Sequence, residues 1–527
     1  MYNVNMERRF NVTGLCIPEE DYMVDISGKI TQIKKLIDSR SYFTINRARQ
    51  YGKTTMLIAL QRALKDEYTV AKISFEGLGD ESFASAETFC LAFMELVQHA
   101  LSLTMVEKEY TEKWLNNSVA DFKELSRHIT EMCKDKKVVL MIDEVDKSSN
   151  NRVYLHFLGI LRDKFLSRKA GADFTFHSVI LAGVYDIRNI KLKMIEEGVY
   201  TPNVTENKIF NSPWNIAVNF EVDMSFKPDE IATMLVEYEK DHNSGMDITA
   251  ISNEIYDYTS GYPFLVSRIC QIIEEKIDRD WTAKGVQKAV QVLLFEKNTL
   301  FDDLFKNLKN NKDLSEFMYK LLILGDKRSY VTYGSAVSLG DRYGFLINKD
   351  GKVAISNRIF EILMTDYFME EDLFNKKQVN HVEQYDVVKG DTFDMELCLR
   401  KFAEHYAEIF NDSDVEFLER HGRLVFLSYL RPLINGQGFY HIESQFTDSR
   451  RMDIVVDFGK QQFIIELKLW RGLMYQAEAY EQICGYLESK GTDTGYMLTF
   501  NFLKESNKTR KAEWIEVNGK KLFDVMV

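Results

Sequence analysis

A chain of 527 residues is long enough for two or three domains, each burying its own core. Its 45% hydrophobic and 28% charged residues are the balance of globular protein, and only 6 prolines argue against long disordered linkers. A formal net charge of −13 argues against a nonspecific nucleic-acid coat protein but leaves room for a local basic groove. The apolar runs are shorter than a membrane span, and the opening MYNVNMERRF has no apolar core of signal-peptide length. The expectation is a cytoplasmic protein without membrane contact. Cys16, Cys90, Cys133, Cys270, Cys398 and Cys484 are widely separated, with no CxxC pair, and read as free thiols rather than a disulfide framework or zinc site.

Residues 1–25 form a lead-in, and from 27 to 270 short apolar runs alternate with helical periodicity. SYFTIN (41–46), VAKISF (70–75), VVLMID (138–143) and SVILAG (178–183) are expected strands, and their spacing implies βαβ units and a parallel sheet. The first is followed by RARQYGKTT and by Leu57, Leu60 and Leu64 at helical spacing, so a helix begins near Gly52. Its N-terminus offers free N–H groups to an anion, with Lys53 as a charge for phosphates and Thr54 as a hydroxyl for Mg²⁺. Arg47 stands where the phosphate-loop consensus has a glycine. Asp143 and Glu144 close the apolar strand 138–142, at the sheet edge where such folds bind ligands. Asp143 is expected to hold Mg²⁺ and Glu144 to orient the attacking water.

Residues 275–375 are mostly helical in pattern, interrupted by an expected hairpin at Asn348-Lys349-Asp350-Gly351, an order that suggests a winged-helix-like domain. The polar stretch 376–394 is the best domain boundary, and 395–527 opens with helices and turns to strands. There, DIVVD (453–457) and QFIIELK (462–468) flank Gly459-Lys460, a two-residue turn. With that turn as centre, residues whose numbers sum to 919 face one another, and Asp453 meets Glu466. Lys468 shares their face, while Ile454, Val456, Phe463, Ile465 and Leu467 point to the opposite, core face. Opposed carboxylates repel, so a divalent cation between them is one reading; a solvated Glu–Lys pair is the other.

NRARQYGKTT, MIDEVDK and SGYPFLVSRICQI (260–272) together resemble the AAA-like ATPases of bacteria and archaea, close to the signal-transducing and origin-recognition branches of the AAA+ class. The resemblance implies that Arg49, Gln50, Tyr51, Gly52, Lys53, Thr54, Thr55 and Asp143 surround ATP and Mg²⁺. It implies that the Gly-Tyr-Pro opens a lid helix whose Arg268 reaches the γ-phosphate or else is a surface arginine. It also puts NVTGLCIPEEDYMVD (11–25) near the adenine and a sensor residue in VYDIRN after SVILAG. Asp453, a twelve-residue gap and ELK resemble the PD-(D/E)XK nuclease superfamily, which implies a metal site on Asp453 and Glu466 with Lys468 activating water. Gln482 and Tyr486 resemble the QxxxY motif of its RecB-like branch, facing the active site, and Glu419 or Glu443 is the candidate outer metal carboxylate. Arg450, Arg451, Arg471 and KESNKTRK (504–511) are candidate phosphate contacts.

The fold class expected is therefore α/β: a P-loop AAA-like ATPase domain with a parallel sheet at 1–272, a helical, winged-helix-like linker domain at 273–375, a linker at 376–394 and an α/β PD-(D/E)XK nuclease-like domain at 395–527. The function expected is an ATP-binding, ATP-hydrolysing protein coupled to a metal-dependent nuclease using Mg²⁺ or Mn²⁺, with DNA as partner and with defence against foreign DNA or mobile-element maintenance as its setting. The alternative is an ATP-dependent signalling switch whose nuclease-like domain only docks. Assembly as a homo-oligomer stays open.

Overall fold

The structure is a computed structural model that describes residues 7–103, 119, 121–148, 152–184, 214–323, 326, 328–331, 335–375, 387–390, 392–409, 415–434, 437–441, 454–470, 473–501 and 511–527. These residues form two compact units, one of residues 1–256, 260–271 and 342–344, the other of 257–259, 272–341 and 345–527. Among them no helix is long and apolar enough to cross a membrane.

The first unit is built on four parallel strands, β1 (Tyr42–Asn46), β2 (Thr69–Ser74), β3 (Val138–Asp143) and β4 (Ser178–Gly183), in the order β1-β4-β3-β2. Each lies within one residue of its expected run. Every residue of β3 and β4 is buried, as a strand covered on both faces requires. One face packs on α1 (Ser27–Asp38) and α2 (Lys53–Leu64), through Ile33, Leu57 and Leu60 against Phe43, Met141 and Ile180. The other packs on α3 (Ala86–Ser102), α4 (Phe122–Cys133) and α5 (Arg152–Lys169), through Phe89, Ile129 and Phe157 against Ile73, Leu140 and Leu181. Successive strand residues alternate between the two cores, which is why the runs are apolar throughout rather than alternating. Two further helices, α6 (Pro228–His242) and α7 (Ile248–Thr259), lead to the start of α8 (Pro263–Lys276).

In the second unit come α9 (Ala283–Leu294), α10 (Thr299–Asn310), α11 (Lys312–Leu322), α12 (Ser335–Arg342), and a hairpin of β5 (Leu346–Lys349) and β6 (Lys352–Ile355). The hairpin turns at Asp350 and Gly351, both with positive φ (52° and 78°), and Asn348 Oδ1 accepts from Gly351 N at 2.8 Å. That is the conformation an Asp-Gly pair favours in a two-residue hairpin. An isolated antiparallel bridge, Ser329 to Lys352, adds a third short partner beside the hairpin. The helix α13 (Arg358–Asn375) follows. The expected linker gives way to structure before its end: β7 (Val388–Lys389) and β8 (Thr392–Phe393) pair, and Phe393 is buried 5.3 Å from Phe458 and 5.9 Å from Phe463.

Helices α14 (Met395–Ile409) and α15 (Val415–Ile434) precede a six-stranded mixed sheet. Its strands are β9 (Gly438–His441), β10 (Ile454–Phe458), β11 (Gln461–Leu469), β12 (Thr494–Phe500), β13 (Lys511–Val517) and β14 (Lys520–Met526), in the order β13-β14-β12-β11-β10-β9, with α16 (Leu473–Ser489) between β11 and β12. The pairing of β10 with β11 is Ile454 to Ile465 through Phe458 to Gln461, the register expected, and Gly459 opens the turn at φ 59°. Both faces of this sheet are covered, not one. Phe402 and Gly422 of α14 and α15 meet Phe500 on one side, while Ala479, Ile483 and Leu487 of α16 pack with Val455, Ile464 and Met497 on the other. The face of Glu466 is thus a second core, which sequence alternation alone does not reveal.

Candidate active sites

In the first unit β1 runs into the loop that ends at Gly52, the N-cap of α2. Gly52 has φ 73° and Gln50 φ 55°, so the chain turns sharply on either side of Tyr51. Gly52 has no side chain to cap α2, and the helix's first N–H groups face the loop. Thr54 Oγ1 donates to Asp143 Oδ2 at 2.8 Å, joining the start of α2 to the end of β3. Lys53 is buried and donates from Nζ to the carbonyls of Arg47 (3.1 Å) and Ala48 (3.0 Å). Burial pulls its pKa down, against the opposing pull of Glu144, Asp146 and Asp143. Burial likewise pushes the Glu144 carboxyl above the usual glutamate range, with Lys53 holding it back. Glu144 itself stands at φ 52°, an uncommon conformation for a non-glycine residue and one found at functional sites.

Arg47 does not disturb this loop. Its Nη1 donates to the Asn46 carbonyl (2.8 Å) and its Nη2 to the Val222 carbonyl (2.9 Å), and the guanidinium lies 5.4 Å from the Phe220 ring. Its own φ is not positive, so this position does not demand glycine. The Gly-Tyr-Pro segment meets the same loop: Tyr262 Oη donates to the Arg49 carbonyl at 2.6 Å, and its ring stands edge-on to Tyr51 at 4.6 Å. A cavity of about 330 Å³ opens beside the loop, lined by Gln50, Tyr51, Gly52 and Thr55, by Asn11 to Gly14 and Cys16 of the lead-in, and by Pro263, Phe264 and Ser267. Buried Asp21 shapes the lead-in, its Oδ2 accepting from Ile17 N at 2.7 Å and Asn11 Nδ2 at 3.0 Å. Arg268 donates to Gln271 Oε1 at 2.5 Å, one turn along α8, and is not among the residues lining the cavity. Asp146, which the sequence did not single out, accepts from Val184 N and so ties the turn after β3 to the end of β4. The expected sensor segment after Val184 lies outside the described residues.

In the second unit Glu466 lies on β11 with 1% of its surface exposed. Lys468 Nζ sits 2.7 Å from Glu466 Oε1 and donates to Gln482 Oε1 of α16 at 3.2 Å. The expected lysine, glutamate and glutamine are thus brought together, with the glutamate buried and the lysine side chain 33% exposed. A cavity of about 440 Å³ is lined by Lys468 and Gln482 together with Gln476, Met497 and Thr499, and Glu466 is not among its lining residues. Tyr486 is buried in the α16 core. Asp453, Glu443, Arg450, Arg451, Arg471 and 504–510 lie outside the described residues, as does the side chain of Glu419 on α15. Among the described residues no three His, Cys, Asp or Glu side chains gather as a metal site.

A neighbouring polar cluster escaped the sequence reading. Asp524 is fully buried, and its Oδ2 receives Tyr480 Oη, Gln476 Nε2 (3.1 Å) and Lys511 Nζ (2.5 Å). Burial, and next the Asp524 carboxylate, push the Tyr480 phenol well above its ordinary pKa. Gln476 and Tyr480 stand one turn apart on the helix that carries Gln482, a periodicity that could have marked them. Their role is to hold α16 onto the sheet and with it Gln482.

Fold and sites together define a P-loop, AAA-like ATPase-type domain joined to a nuclease-superfamily domain. A family model described as the AAA-like domain matches residues 26–369, well over half of the chain, and the chain belongs to that family. A second, the PD-(D/E)XK nuclease superfamily, matches residues 439–512. Among solved structures, the Walker-type ATPase paby2304 of Pyrococcus abyssi is 12% identical with a TM-score of 0.45, over 67% of this chain and 99% of its own. Cdc6p from Pyrobaculum aerophilum is 13% identical (TM-score 0.30; 66% and 94% covered). The ADP form of Aeropyrum pernix ORC2 is 13% identical (TM-score 0.35; 69% and 97% covered). No curated protein matches the chain.

Proposed function

We propose that this protein is an ATP-binding and ATP-hydrolysing regulator coupled to a divalent-metal-dependent nuclease that cuts DNA. Defence against foreign DNA or mobile-element maintenance is the setting such a pairing suits. The observation that carries the reading is Lys468, held between buried Glu466 and Gln482 beside an open cavity.

On the ATPase side, the N-terminus of α2 receives the phosphates, and Lys53 exchanges the Arg47 and Ala48 carbonyls for phosphate oxygens. Thr54 and Asp143, already 2.8 Å apart, fit an Mg²⁺ ion as hydroxyl and carboxylate ligands. Glu144 orients the attacking water, and the cavity beside Tyr51 takes the base.

On the nuclease side, Asp453 and Glu466 are the two carboxylates that the sequence sets opposite each other about the Gly459-Lys460 turn. A buried carboxylate needs positive charge, so Glu466 and Asp453 fit a hard cation, Mg²⁺ or Mn²⁺. Such an ion would supply Lewis acidity to the phosphodiester. Lys468 orients the attacking water and offsets the negative charge that builds on the phosphate, while Gln482 fixes the lysine's direction.

Thermal melting in EDTA and in Mn²⁺, run beside plasmid and oligonucleotide cleavage with and without ATP, tests this. Asp453→Ala and Glu466→Gln are expected to lose the Mn²⁺-induced rise in Tm without loss of stability in EDTA, because each removes a repulsive or buried charge. Lys468→Ala is expected to keep the Mn²⁺ shift and lose cleavage by at least a hundredfold, on the order of 3 kcal/mol in the barrier. Cleavage that survives Lys468→Ala, with the metal shift unchanged in every variant, sinks the assignment.

A further inference from the structure

A cavity of about 920 Å³ in the second unit is not part of either site above. It is lined by α9, α10, α13, α15 and β9. Helix α10 divides cleanly into two faces. Leu300, Phe301, Leu304 and Leu308 are buried, while Asp302, Phe305, Lys306 and Lys309, at helical spacing, face the cavity. Lys297 adds a third lysine just before the helix. Among the described residues these lysines make no ion pair. The acid on the opposite wall is already neutralised: Asp366 takes Arg431 Nε at 3.2 Å and Tyr440 Oη at 2.9 Å. In a chain of net charge −13, the cavity therefore has an excess of positive charge, against which only Asp302 counts. Aromatic surface accompanies it, with the Phe305 and Tyr367 rings 5.4 Å apart and Lys309 Nζ 6.0 Å from the Tyr367 ring.

We propose that this cavity binds single-stranded nucleic acid, its phosphates on Lys297, Lys306 and Lys309 and its bases against Phe305 and Tyr367. A duplex hides its base faces, so aromatic walls interleaved with lysines select an unpaired strand. The volume is at the upper end of the roughly 300–1,000 Å³ usual for ligand pockets, enough for a short stretch of strand rather than one base. The proposal rests on the nucleic-acid reading of the C-terminal domain and gives it a strand preference.

The test is fluorescence anisotropy with the full chain in EDTA, where cleavage is silent, using labelled dT20, the matching duplex and dTMP as competitor across a salt series. Wild type is expected to prefer dT20 over duplex, with dTMP a poor competitor. Lys306→Glu with Lys309→Glu, both exposed positions, is expected to weaken dT20 binding at least tenfold and flatten the salt slope by about 1.4, the loss of two single-strand phosphate contacts. Phe305→Ala is expected to weaken it about tenfold with the slope unchanged. Unchanged dT20 affinity in the charge-reversed protein, duplex preference, or equal binding of dTMP each overturns the proposal. Metal-dependent cleavage that survives in the charge-reversed protein with unchanged affinity overturns the cavity alone; a wild type that neither binds nor cuts nucleic acid overturns the nuclease reading as well.

Discussion

Single residues in the first unit are placed by the chemistry of charge burial. Burial lowers the Lys53 pKa while Glu144, Asp146 and Asp143 pull it back up, and its Nζ donates hydrogen bonds to two carbonyls. Lys53→Ala is expected to weaken ATP binding ten- to hundredfold, about 1.5–3 kcal/mol for a charged hydrogen bond, as read by calorimetry. Glu144→Gln is expected to bind ATP normally and hydrolyse it slowly. The raised Glu144 pKa gives a pH signature. A base must be ionised to act, so hydrolysis should fall off on acidification at a higher pH than an ordinary glutamate would impose, and that limb should vanish in the slow residual activity of Glu144→Gln. Wild-type ATP affinity in Lys53→Ala would overturn the phosphate-loop assignment.

At the scale of elements, the turn between α7 and α8 is the joint on which the phosphate loop leans. Ser260 and Gly261 both take left-handed φ (46° and 73°), which reverses the chain and delivers Tyr262 to the Arg49 carbonyl. A Cβ on Gly261 would sit 1.8 Å from the Phe226 carbonyl oxygen, a clash with backbone that has nowhere to move. Gly261→Ala is therefore expected to lower Tm and nucleotide affinity together. Tyr262→Phe, which removes one hydroxyl, is expected to cost about 1 kcal/mol and to act on ATP affinity more than on Tm. If Gly261→Ala leaves both unchanged, the turn does not position the loop.

For the whole molecule, the chain divides into two compact units, with the helical and C-terminal parts together in the second. We propose the polar stretch 376–386 as the boundary inside that second part, since Val387 onward is already packed with the nuclease-like sheet. Brief trypsin digestion, read by mass spectrometry, is expected to cut first between Lys376 and Val387 and to leave a stable C-terminal fragment. First cleavage within 454–470 instead would place the boundary elsewhere.

Periodicity and turn chemistry suffice for what is local in this protein. Gly459-Lys460 between two apolar runs sets the β10–β11 register, and GKT after SYFTIN marks the strand–loop–helix of the phosphate loop. Asp350-Gly351 marks its hairpin for the same reason, because positive φ at two adjacent positions is open to few residue pairs. What joins distant segments was decided only in three dimensions. Nothing local announces that Arg47 would turn away to Val222, or that α16 would cover Glu466 and that Lys511 would meet Asp524. Alternation along a strand tells which residues share a face, but whether that face meets water or a helix depends on where the rest of the chain packs.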